Sequence, residues 1–202
     1  MGTIWHGIVL TASYPAKRMG VKTAMPIWEA KQHCRDLIVV PASYGKYQKY
    51  SSYVREIFRD YTDQVESFGL DEAWLDITGS LGLFGDPVKI AKKISDRIKR
   101  ELGITVSIGV SFNKITAKLG SDYKKPDAIT VIEPDTYKQI VYPLPVGDLL
   151  YVGNATQRKL GSYGIRTIGQ LAETNPEVLK GWFGVMGYTL SAFARGLDQT
   201  PV

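Results

Sequence analysis

Two neighbouring carboxylates, Asp71 and Glu72, stand between apolar runs in SFGLDEAWLDITGS, residues 67–80. Adjacent carboxylates repel each other and are poor strand formers, so a pair at a strand junction belongs in water or around cations. Mg²⁺ takes oxygen ligands, usually one or two carboxylates plus substrate phosphates. A two-metal phosphoryl-transfer site needs such a pair and one further carboxylate from elsewhere. An acidic hairpin turn without any metal is the plainer alternative. Asp76 alternates with Trp74 and is placed either in solvent or at the same site.

A second group of residues suits phosphate. In SFNKITAKLGSDYKKPDAI, residues 111–129, Lys114 and Lys118 are four apart on one helical face, and Lys124 and Lys125 precede Pro126. Lysines there can meet a polyphosphate or a nucleic-acid backbone as point charges, or form a solvated face. In LLYVGNATQRKLGSYGI, residues 149–165, Gly153 and Asn154 suit a turn whose amides meet a DNA phosphate at a helix start, with Arg158 and Lys159 beside it. Thr11, Tyr14, Lys17 and Arg18 in TASYPAKR combine a hydroxyl, a phenol and two cations at a strand end. His6, His33 and Cys34 read as structural, and Trp182 and Phe183 as core.

These side chains need elements to hold them. Apolar and β-branched residues make 4–12 a strand, followed by a turn at Tyr14-Pro15. Pro26 opens a short helix to about Arg35, and Leu37 to Val40 reads as a strand. Tyr47, Tyr50, Val54, Ile57, Phe58 and Tyr61 recur at helical spacing, predicting a helix from Tyr44 to Gln64. Two strands over 64–70 and 73–78 flank Asp71-Glu72. Asp86 caps a helix with proline at its first position, and Gly103 ends it. Residues 104–110 form a buried strand, 112–119 a short helix and 128–132 a last strand. The order from 44 to 110 is α-β-β-α-β, a ferredoxin-like β-α-β-β-α-β sheet without its first strand. That strand is central, so the fold class expected is α+β with an internal gap in the sheet, answered by a second chain filling the slot, a rearranged sheet or poor stability. Short helices with glycine-rich turns make the part after 133 a small all-α module.

The 202 residues carry 25 Lys plus Arg against 20 Asp plus Glu, a net charge of +5, with 44% hydrophobic and 22% charged residues. That composition excludes whole-chain disorder, and the unperiodic Gly and Pro exclude collagen-like repeats. No apolar run reaches the ~18 residues of a membrane helix. One cysteine makes neither an intrachain disulfide nor a cysteine-rich zinc site, and a cytoplasmic setting is expected. Between Lys89 and Pro126 stand ten basic and three acidic residues, the footprint of a phosphate-binding face or of a solvated one.

In this order, the four motifs resemble the Y-family (translesion) DNA polymerases of the DNA polymerase IV and UmuC type, over roughly residues 7 to 200. GLDEAWLDITGS is similar to that family's palm signature, S-[IL]-D-E-A-[FYW]-L-D. GVSFNKITAKLGSDYKKPDAI is similar to its G-[IV]-[AS]-x-N-K-x-x-A-K-x-A-S-x-x-x-K-P segment. The resemblance implies partial fingers over 1–43, a palm lacking its first strand over 44–132 and a helix-hairpin-helix-like thumb over 133–202. It implies template-directed DNA synthesis with primer-template DNA, a deoxynucleoside triphosphate and two Mg²⁺. Asp71 and Glu72 match the metal carboxylates, Lys125 a triphosphate lysine, and Thr11 and Tyr14 fingers residues at the incoming nucleotide. The chain departs from the family in several places. Nothing matches D-x-D-x-F-[FY] of the first palm strand, and the little finger and clamp-binding tail are not matched. Lys17 stands where Y-x-A-R has arginine, with Arg18 one place later, and Tyr151 replaces the first glycine of G-[IV]-G. The expectation is therefore a truncated polymerase core, inactive alone. The alternatives are a non-catalytic DNA-binding module and a nucleotide cyclase of related palm architecture.

Overall fold

The computed structural model describes residues 7–202, and these divide into two compact units, one ending at Tyr47 and the other spanning Gln48–Val202. The expected strand over 4–12 is partly outside the described residues, as is His6. Its remainder forms a single antiparallel bridge, Ile8 to Pro26. Backbone bonds from Ile27 to the Gly7 carbonyl, Val9 to the Met25 carbonyl and Ala24 to the Val9 carbonyl flank the bridge, and Ile8 and Leu10 are exposed. The expected turn at Tyr14-Pro15 is instead one turn of helix, α1 (Tyr14–Arg18), whose Ser13 cap accepts from the Ala16 amide. Helix α2 (Ile27–His33) starts one residue later than expected, with Pro26 as its cap. Leu37 to Val40 is irregular: Ile38 and Val40 are 83% and 78% exposed and have no sheet to pair with. A small core of Ala16, Val21 and Ala30 holds this first unit, with Cys34 packed against it.

Helix α3 (Tyr44–Arg59) stops short of Gln64, because its last turn tightens to three-residue bonds, Asp60 to Ile57 and Tyr61 to Phe58. An antiparallel hairpin follows, β1 (Val65–Phe68) and β2 (Glu72–Leu75), and then the one-turn α4 (Leu81–Phe84). Helix α5 (Pro87–Leu102) has the expected Asp86 cap, and left-handed Gly103 ends it. Strand β3 (Ile108–Ser111) pairs in parallel with β4 (Ile129–Ile132), and α6 (Lys114–Tyr123), capped by Asn113, connects them. The α-β-β-α-β order therefore stands. The four strands form two separate two-stranded sheets, with no strand bonded between them among the described residues. Both sheets lie on one apolar layer, in which Leu75 of β2 and Ile108 of β3 pack against Ile57, Ile90, Ile94 and Ile98.

The C-terminal part is helical: α7 (Tyr137–Val141), α8 (Asn154–Ser162), α9 (Ile168–Glu173), α10 (Pro176–Phe183) and α11 (Val185–Ala194). Their core includes Leu160, Ile168, Leu179 and Leu190, and it continues through Ile115 and Leu119 of α6 and Ile132 of β4. Tyr137 donates from its hydroxyl to the Phe193 and Ala194 carbonyls, and burial holds that hydroxyl well above the usual phenol range. No described helix is long and apolar enough to cross a membrane.

Candidate active site

Asp71 and Glu72 sit at the tip of the β1–β2 hairpin, where Gly69 takes φ +73° and makes the reversal possible. Two side chains of α3 pin that tip. Ser51 Oγ donates to the Leu70 carbonyl, and Arg55 Nη2 donates to the Gly69 carbonyl at 2.9 Å. Both bonds tie the hairpin tip to α3. Asp71 is exposed.

The hairpin has two chemically distinct faces, as strand alternation requires. Leu75 turns to the helical layer. Glu66, Phe68, Glu72 and Trp74, paired 66 with 74 and 68 with 72, share the other face, where Phe68 and Trp74 pack ring to ring at 4.9 Å. Lysines of α6 meet that face. Lys114 Nζ lies 2.8 Å from Glu66 Oε2, donates to the Pro201 carbonyl at 2.9 Å and stands 5.2 Å from the Trp74 ring centre. Lys118 Nζ lies 2.8 Å from Glu72 Oε1 and 2.8 Å from Asp122 Oδ2. Asp122 Oδ1 is in turn 2.5 Å from Lys125 Nζ. A continuous run of alternating charge, Glu72–Lys118–Asp122–Lys125, thus joins the acidic tip to the lysine before Pro126.

Close backbone packing fixes α6 in this position. A Cβ on Gly109 of β3 would stand 1.8 Å from the Ala117 carbonyl oxygen, and one on Gly120 would stand 3.1 Å from the Gly109 Cα. The helix lies on the strand with nothing between them, and Lys118 emerges beside that contact. Burial pulls the Lys118 ammonium downward, but its bonds to Asp122 and Glu72 outweigh this and hold it above the ordinary lysine value. Burial likewise pushes Asp122 upward, and Lys118 and Lys125 outweigh it, leaving the carboxyl below its usual range.

The other expected residues are placed as follows. Asp76 is a turn residue: its carboxylate accepts from the Thr78 amide at 2.9 Å, and bonding to Thr78 holds its carboxyl low. The ammonium groups of Lys114 and Lys118 are committed to carboxylates and are largely covered, at 14% and 18% side-chain exposure. The basic stretch is mostly neutralised in the same way: of its cations, only Lys93 and Lys124 have no carboxylate partner among the described residues. Gly153 caps α8 and Asn154 is its first residue, both exposed. Arg158 is exposed, whereas Lys159 donates to the Trp182 carbonyl at 2.5 Å and stands 4.8 Å from the Phe183 ring centre. Tyr151 keeps the backbone that glycine would take, at φ +68°, with its ring stacked on Phe193 at 6.0 Å. In the first unit, Thr11, Tyr14, Lys17 and Arg18 are exposed, and Lys17 Nζ lies 5.2 Å from the Tyr14 ring centre.

Asp122, Glu66, Ser51 and Arg55 were not among the expected site residues. Asp122 had a signal, being four residues after Lys118 and three before Lys125, both helical pairing distances. The other three depend on tertiary placement. A cleft of about 400 Å³ runs from Lys118 and Asp122 along Gly147–Gly153. Within it, burial raises the Asp148 carboxyl, with a further push from Asp122.

The family described as impB/mucB/samB matches residues 2–122, and the description DNA polymerase-iota, thumb domain, matches residues 147–198. The chain belongs to this family, the Y-family DNA polymerases. It is 55% identical over 197 residues to the DNA polymerase IV of Acetivibrio thermocellus, covering 98% of this chain and 49% of that protein. DNA polymerase IV 1 of Bacillus subtilis is 42% identical over 196 residues, covering 97% and 47%. DinB from Sulfolobus solfataricus superposes with a TM-score of 0.88 at 31% identity, over 99% of this chain and 59% of that one. An insertion ternary complex of Dbh DNA polymerase gives 0.88 at 31%, over 98% and 58%. The chain thus spans about half the length of the curated relatives it matches.

Proposed function

We propose that this chain forms the palm, thumb and part of the fingers of a translesion DNA polymerase, over 44–132, 133–202 and 1–43 respectively. The reaction is attack of a primer 3′-hydroxyl on the α-phosphate of a deoxynucleoside triphosphate, directed by a template. The observation that carries this is the charged run from Glu72 to Lys125, which sets the acidic tip and the triphosphate lysine in one network. Asp71, with exposed oxygens, and Glu72 fit a hard divalent cation, and they are the residues that would hold Mg²⁺. Bound there, Mg²⁺ supplies charge for the phosphates and lowers the pKa of the attacking hydroxyl. The protein's part is placement. Ser51 and Arg55 fix the tip, Gly109 and Gly120 fix α6, and Lys125 supplies a cation for the triphosphate tail. Tyr14, Lys17 and Arg18, with Thr11, offer a phenol, two cations and a hydroxyl on and beside one helical turn. The first amides of α8 carry no side-chain cap, and with Arg158 they suit a duplex phosphate.

No cluster of three or more metal-ligating side chains occurs among the described residues. A two-metal site needs a third carboxylate, so the 202-residue chain should bind primer-template and Mg²⁺ without extending the primer. The unpaired edges of the two sheets suit a strand from a second chain. Fluorescence anisotropy on labelled primer-template, with a salt titration, tests the binding, and gel-resolved extension tests the rest. Extension by this chain above a metal-free control would overturn the claim of inactivity. Absence of salt-dependent duplex binding would overturn the polymerase reading.

A further inference from the structure

Within the charged run, each inner group serves two partners. Lys118 is the one ammonium between Glu72 and Asp122, each at 2.8 Å, and Asp122 is the one carboxylate between Lys118 and Lys125. Lys118 is the covered member, at 18% side-chain exposure, against 33% for Glu72, 42% for Asp122 and 46% for Lys125. The backbone has little room to answer a change at either end, because Gly109 and Gly120 hold α6 on β3 and α3 pins the hairpin tip. Any adjustment falls to the four side chains. An ion that loses one of two partners can turn its hydrogen-bonding capacity to the other.

We propose that Lys118 and Asp122 are positioning residues that couple the two ends of the run, so that an anionic polyphosphate on Lys125 frees Glu72 for a divalent cation. When Lys125 turns to phosphate, Asp122 keeps only Lys118 and draws it from Glu72. The converse follows from linkage: a cation on Glu72 sends Lys118 to Asp122 and loosens Lys125 for phosphate. No bond is made or broken; the exchange is of ion-pair partners. The inference rests on the reading of Asp71 and Glu72 as a metal corner.

The test needs no polyphosphate, which would itself bind metal. Mn²⁺ binding to the 202-residue chain is measured from the free-ion electron paramagnetic resonance signal. Lys125→Met mimics loss of Lys125 to phosphate and should tighten Mn²⁺ about two- to fivefold, the scale of one exposed ion pair. In an Asp122→Asn background that gain should disappear. Lys124→Met, which removes a neighbouring cation with no carboxylate partner, should change the affinity less. An equal gain from Lys125→Met in both backgrounds would mean simple charge repulsion and would overturn the coupling, as would no gain at all. Asp71→Asn with Glu72→Gln separates the two readings. If Mn²⁺ binding is absent, or survives that double change, the metal corner itself fails; if the double change abolishes binding, only the coupling is at stake. Melting midpoints confirm folding, and Lys125→Gln provides a second variant should Lys125→Met fold poorly.

Discussion

The substitution Gly109→Ala tests whether backbone contact between β3 and α6 supports the acidic corner. The new Cβ would stand 1.8 Å from the Ala117 oxygen, 2.6 Å from the Ser121 nitrogen and 2.8 Å from the Ala117 carbonyl carbon. All three are backbone atoms of one helix, so no side chain can swing aside. A carbon-to-oxygen contact is comfortable near ~3.3 Å, which requires α6 to retreat by about 1.5 Å. A gap of that size forfeits much of the dispersion contact across it. Ile115 and Leu119, each 3% exposed, ride on α6 and lose part of their burial. Overpacking strain of ~1–3 kcal/mol adds to a fraction, about half, of the ~1.5–3 kcal/mol that full burial of each large side chain contributes. The expected loss is about 3–5 kcal/mol, a large share of the ~5–15 kcal/mol available to a typical domain. Urea unfolding followed by far-ultraviolet circular dichroism measures it. Gly181→Ala, with nothing within 4 Å of its Cβ inside α10, is the control and should stabilise by about 0.4–1 kcal/mol. A loss below about 1 kcal/mol for Gly109→Ala would show that α6 is not held by backbone contact, and would refute the argument for how Lys118 is placed.

Tyr151→Gly should raise stability by roughly 1 kcal/mol through relief of a left-handed backbone, less whatever the stacking on Phe193 contributes; thermal melting decides. Arg158→Ala should weaken duplex binding and lower the salt slope by about one phosphate contact, whereas Lys159→Ala, losing its bond to the Trp182 carbonyl, should act mainly on the melting temperature. Because Lys118 and Lys125 hold the Asp122 carboxyl below its unfolded value, its stabilisation is present above the ordinary carboxylate range and is lost as pH falls through the folded value. Asp122→Asn should therefore flatten the acid limb of a stability–pH profile and leave the limb above pH 7 unchanged.

The hairpin and the two long helices were legible because their signals are local. Asp86-Pro87 and Gly103 delimit α5, and aromatic and aliphatic residues at helical spacing mark α3. The strands of the first unit were not, since apolar alternation at Ile38 and Val40 specifies a strand only when a neighbour supplies the other half of the ladder. The acidic tip could be read from Asp71-Glu72 and its turn. Its support could not, because Ser51 and Arg55 reach it across 19 and 14 residues. Charge was misleading at the level of counts: ten cations in one stretch suggested an open basic face, but carboxylates from Glu66, Glu72, Asp60, Asp86 and Asp127 return to meet them.

The separation of the sheet into two pairs has a mechanical consequence. The carboxylates and their lysine partners belong to different rafts, floating on one helical layer and moored to each other by α6 through salt bridges and the Trp74 indole bonded to the Lys114 carbonyl. Side-chain moorings yield to salt and to competing ions in a way that a continuous ladder does not. Fine alignment of the corner therefore draws on these moorings in addition to the apolar layer beneath both rafts.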